Sequence, residues 1–109
     1  MKNVLLVITN LPDERSAAKL ALQLIEARAA ACVNQLAPCV STYRWQGNIE
    51  TDTEVPLLIK TTKDAYSRLE KLIRESHPYE LPEIIAVSVD AGLPKYLDWV
   101  NNETQICKD

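Results

Sequence analysis

The densest chemistry in this chain lies in seven residues between an apolar helical stripe and an apolar strand pattern: His77-Pro78-Tyr79-Glu80-Leu81-Pro82-Glu83. The segment holds the only histidine, two carboxylates and a phenol, with two prolines among them. Imidazole and carboxylate are good ligands for divalent transition metals, and prolines would pre-organise the loop that presents them. The plainer reading has His77 capping the helix and Pro82 setting the strand entry. Two other segments concentrate unusual residues. Ala31-Cys32-Val33-Asn34 offers a thiol, and Tyr43-Arg44-Trp45-Gln46-Gly47-Asn48-Ile49 puts two aromatic rings on one strand face near a turn. Those rings suit a ligand-stacking platform or packing between subunits.

The thiols do not assemble into a recognisable centre. Cys32 and Cys39 are seven residues apart, so an uninterrupted strand points them to opposite faces. Only a bulge at Pro38 would bring them to one side. Cys32, beside three alanines, reads as a small buried hydrophobe. Cys107 reads as an incidental thiol in a mobile tail, and no Cys/His zinc cluster fits these spacings.

Enzymatic motifs are missing too: no G-x-S-x-G, no phosphate-cradling glycine loop and no H-E-x-x-H. A Cys–His pair made from Cys32 or Cys39 with His77 has no readable orienting group. The carboxylate pairs Asp13-Glu14 and Glu80 with Glu83 suit helix-dipole pairing and solvation. A binding protein, not an enzyme, is the expectation.

What must position these residues is one domain over 1–109, long enough to bury a core without disulfide or metal staples. The net charge is -3 and the basic residues are scattered, which argues against nucleic-acid binding. Val4 to Ile8 is a short apolar run without a following A-x-A signature, and nothing approaches the roughly 20 apolar residues of a membrane span. With reduced cysteines, these features point to the cytoplasm.

The pattern predicts a strand over Asn3 to Thr9. A helix opened by Pro12-Asp13-Glu14 follows, with Ala17, Leu20, Ala21, Leu24 and Ile25 on one stripe. Ala30 to Trp45 reads as a long strand interrupted at Pro38. Gly47-Asn48 signals a turn, and Ile49 to Thr61 returns, with Pro56 at an edge or bulge. Thr62 is the predicted N-cap of a second helix ending near His77, with Ala65, Leu69, Leu72 and Ile73 inward. A strand over Glu83 to Val89 follows, then a helix from Leu93 to about Glu103 anchored by Leu97, Trp99 and Val100.

The order β-α-β-β-α-β-α predicts an α+β, ferredoxin-like sandwich with an extra C-terminal helix and a long hairpin between its second and third strands. One sheet face then needs cover. Apolar residues such as Val33, Val40 and Leu58 cannot all meet water, so association with further copies is expected.

Over about Asn3 to Asn102 the chain resembles the CutA divalent-cation tolerance family. The resemblance rests on Pro12-Asp13-Glu14, Ala30-Ala31-Cys32-Val33-Asn34, Tyr43 to Ile49, Glu54, Leu58-Ile59-Lys60-Thr61, His77 to Ile84, and Tyr96, Leu97 and Trp99. It implies a PII-like homotrimer joined by the long hairpins, with a role in tolerance to copper or another divalent cation. It also implies His77 as a copper ligand. In some members a histidine precedes that position and a cysteine ends the first strand, where this chain has Ser76 and Thr9.

From this follow candidate metal ligands His77, Glu80 and Cys32, and cleft residues Lys60, Trp45, Tyr79 and Arg44. They would be gathered where one subunit meets the next. The alternatives are a PII-like sensor of a small anionic metabolite bound through Lys60 and Arg44, and a trimeric scaffold that docks a partner protein.

Overall fold

A computed structural model describes residues 3–106; Cys107 lies outside them. The described elements are β1 (Val4–Leu11), α1 (Glu14–Glu26), β2 (Cys32–Gln35), β3 (Cys39–Trp45), β4 (Asn48–Thr62), α2 (Tyr66–Ser76), β5 (Ile85–Ser88) and α3 (Pro94–Glu103). This is a mixed α+β fold with one antiparallel sheet and three helices. The sheet runs β2-β4-β1-β5, and β3 pairs with the distal half of β4.

Local chemistry explains the boundaries. Asp13 is the N-cap of α1: its carboxylate accepts from the Ser16 backbone N–H at 2.7 Å, so Pro12 stands just outside the helix and not in its first turn. Thr62 caps a turn rather than the helix itself, its hydroxyl accepting from Ala65 N–H at 3.3 Å one residue before α2 begins. The β3–β4 hairpin closes through Gln46 and Gly47, both at positive φ, the geometry a two-residue turn between twisted strands requires.

The expected single strand over Ala30 to Trp45 is broken at 36–38 into β2 and β3. Pro56 is the reason on the facing strand. Its carbonyl accepts from Leu36 N–H at 2.9 Å, so its missing N–H faces the break, and a proline fits inside the interior strand β4. The break inserts one residue: Cys32 pairs with Lys60 but Cys39 with Glu54. Both cysteines therefore share one face, roughly 20 Å apart along β4, too far to hold one ion.

The main core lies between the sheet and α1 with α2. Val7, Leu11, Val55, Leu57 and Ile59 from the sheet meet Leu20, Leu24, Leu69 and Ile73 from the helices. Ile25, expected on the buried stripe, is exposed. Thr9 sits in the same layer, fully buried, and its hydroxyl finds no hydrogen-bond partner among the described residues. Thr9→Val keeps the shape and removes an unpaired polar atom. It should raise stability by about 1 kcal/mol, read as a higher urea midpoint.

On the opposite face α3 covers only the end marked by Val4 and Thr62, where Val100 is fully buried and Thr62 meets the Thr104 hydroxyl at 3.3 Å. Trp99, expected as an anchor, is exposed and stacks on Tyr96 at 5.6 Å. Leu6, Ile8 and Leu58, with Ile85 and Val87 each 52% exposed, line the rest of this face by register. Val33 belongs to the helix side instead, packed against the core, and Val40 lies exposed on the hairpin.

Candidate functional site

Past Leu11 the sheet loses its helices and β3–β4 projects as a free hairpin, which helps give the molecule its 47 Å long axis. The 78–85 segment folds back beside the hairpin. Between them lies a cleft of about 1190 Å³. Its walls are Tyr43, Trp45, Asp52 and Glu54 on one side and Tyr79, Glu80 and Glu83 on the other, with Asn10 between them.

His77 organises the base of this cleft. It is the C-cap residue of α2, its backbone N–H donating to Ile73 at 2.8 Å, and it turns the chain to extended geometry. Its ring is 8% exposed. Nε2 donates to the Asn10 backbone carbonyl at 2.6 Å, and Nδ1 accepts from Tyr79 N–H at 3.2 Å. Burial pushes the imidazole below its ordinary 6.5, against the Asn10 bond and the charge of Glu54, which pull it up.

Linkage then fixes a sign. The unfolded chain takes up the histidine proton near 6.5, and the folded chain only at lower pH. The contribution is therefore complete above 6.5 and is lost as pH falls through the depressed folded value. Urea midpoints measured from pH 8 to pH 5 should decline more in the wild type than in His77→Gln, which has no such titration.

Beyond His77 the cleft is a network of phenols and carboxylates. Tyr79 donates to Glu54, itself only 9% exposed, and both burial and this bond push the Tyr79 phenol up. Asn10 Nδ2 reaches Glu54 at 3.5 Å and Glu83 at 3.3 Å. Tyr43 donates to Asp52, and that bond pushes its phenol up to about 12.

Of the residues singled out in the sequence, Tyr79, Glu80, Trp45 and Arg44 line the cleft and His77 supports it. Cys32 and Lys60 do not join them. They pair with each other across β2 and β4, level with Leu6 and roughly 13 Å along β1 from Asn10. Lys60 donates to Asn34 there, and Cys32 meets the Tyr96 hydroxyl. Lys60 and Arg44 are therefore too far apart in one chain to grip one small anion.

Asn10 and Asp52 were not marked by motif, and Glu54 stood in the family pattern without a role in the site. The signal for Asp52 and Glu54 was alternation: with Pro56 they share one face of β4. Within one chain the residues do not fit a closed copper centre. Both nitrogens of His77 are committed, Cys32 is distant, and among the described residues no group of three or more His, Cys, Asp or Glu converges.

Comparison with known proteins gives a consistent result. The family model described as CutA1 divalent ion tolerance protein matches residues 5–103. The chain is 42% identical over 98 residues to a divalent-cation tolerance protein CutA from Thermus thermophilus, covering 90% of this chain and 95% of that protein. It is 41% identical to the human protein CutA over 90% of this chain but 55% of that one, so it spans about half of such longer relatives. A crystal structure of CutA from Xylella fastidiosa superposes with a TM-score of 0.91 at 48% identity, covering 94% of this chain and 98% of that one. A structure from Archaeoglobus fulgidus, named there as a periplasmic divalent cation tolerance protein, reaches 0.90 at 29% identity over 94% and 99%.

Proposed function

Because the chain belongs to the CutA1 divalent ion tolerance family, we propose that it works as a homotrimer whose cation is met by the carboxylates of the cleft. The observation that carries this reading is Glu54. It is nearly buried, it accepts from Tyr79 and Asn10, and it has no ion-pair partner among the described residues. An anionic oxygen withdrawn from water without a counter-charge is costly, so its setting favours a cation. Asp52, Glu80 and Glu83 line the same cleft, against Arg44 as its one basic lining residue among those described. Oxygen donors of this kind suit hard divalent ions, whereas copper through His77, Glu80 and Cys32 would need ligands from more than one chain.

The strand order supports a ferredoxin-like arrangement, and the uncovered face around Leu58 supports association. The count of three and the PII-like shape come from the resemblance set out above. Binding rather than catalysis is favoured because the one imidazole has both nitrogens in use, leaving no free base beside a nucleophile. No helix among the described residues is long and apolar enough to cross a membrane. A cytoplasmic setting is supported by the free thiols of Cys32 and Cys39.

Calorimetric titration of the assembled protein with Mn²⁺ and with Cu²⁺ tests the site. Glu54→Gln should weaken Mn²⁺ binding by about tenfold or more. Equal affinity in wild type and variant would remove Glu54, and with it the cleft, as the cation site.

A further inference from the structure

We infer that His77 is a positioning residue, latching the cleft wall to β1, and not a metal ligand. A backbone carbonyl only accepts and a backbone N–H only donates, so the bonds to Asn10 and Tyr79 together require the neutral ring with its proton on Nε2. A metal needs an imidazole lone pair. The lone pair of Nδ1 already accepts from Tyr79, and Nε2 carries the proton given to Asn10. Capture at either nitrogen breaks one arm of the latch, within a ring almost closed to solvent.

The latch has a clear consequence for the cleft. His77 and Tyr79 stand with ring centroids 4.7 Å apart, and Tyr79 carries its phenol to Glu54. Asn10, whose carbonyl anchors the ring, sends its side chain to Glu54 and Glu83. The chain of contacts is closed: β1, His77, Tyr79, Glu54 and back to β1. His77 thus sets where Tyr79 meets the buried carboxylate, whatever ion the cleft takes.

Imidazole ¹H–¹⁵N NMR tests this on the assembled protein, before and after addition of Zn²⁺. The latch predicts a single neutral tautomer protonated at Nε2, and His77 imidazole ¹⁵N shifts that stay in place when Zn²⁺ is added. It also predicts Tyr79 amide exchange faster by about tenfold or more in His77→Ala. A ring protonated at Nδ1, His77 ¹⁵N shifts that move to a metal-bound value with Zn²⁺, or unchanged Tyr79 exchange in His77→Ala would overturn it. Should His77→Ala fail to fold, the tautomer and the response of the wild-type ring to Zn²⁺ still decide.

Discussion

Leu58→Asp is expected to release folded monomers from the assembly. Leu58 lies on the sheet face that α3 leaves uncovered, level with Ile8, which pairs in turn with Ile85. Leu6 and Ile8 on this face are partly exposed, and Ile85 and Val87 beyond them are each 52% exposed. A carboxylate at that point meets water in the single chain at little cost. In the assembly it would be buried without a partner, which costs several kcal/mol. Subunit affinity should fall on the order of 100-fold or more. Light scattering at micromolar protein should then give a mass near 12.3 kDa, with the far-ultraviolet dichroism of the wild type retained. Unfolding of the variant, or an unchanged assembly, would contradict the assignment of this face.

The adjacent position should behave in the opposite way. Leu57 points to the other side of β4, fully buried in the core between the sheet and the helices. Leu57→Ala removes buried methyl groups and leaves a cavity that β1 and the helices cannot fill. Losses of this kind run at roughly 2–5 kcal/mol. Against a typical stability of roughly 5–15 kcal/mol, that is a large fraction. Urea unfolding at one fixed protomer concentration measures it, since association adds to apparent stability. A loss below about 1 kcal/mol would mean that Leu57 is not the keystone of the core that its burial indicates.

The contrast between these neighbours shows what the chain disclosed by itself. Period-two alternation on β4 and the three- and four-residue spacing of Leu20, Leu24, Leu69 and Ile73 are local signals, and they located the core and the order of the elements. The prolines were also informative: Pro38 marked the break, and Pro78 ended α2. What pattern could not reveal was register. One residue inserted opposite Pro56 moved Cys39 to the face of Cys32 and Val40 away from that of Leu58, while Val33 is set apart from Leu58 by its own pairing with Ile59. The cleft was half legible. Its 77–83 wall stood out by composition. The opposite wall of Asp52 and Glu54 emerged only when the hairpin was placed beside that loop. The role of His77 depended on the Asn10 carbonyl, a backbone atom far away in sequence that no side-chain motif records.

The proposed association would cover the open sheet face, where Leu58 and Ile8 lie in register with the half-exposed Ile85. The molar mass of the wild-type protein, measured by light scattering with and without chelator, tests it most directly. Three times 12.3 kDa in both conditions is the predicted result, and a particle of 12.3 kDa would contradict the account.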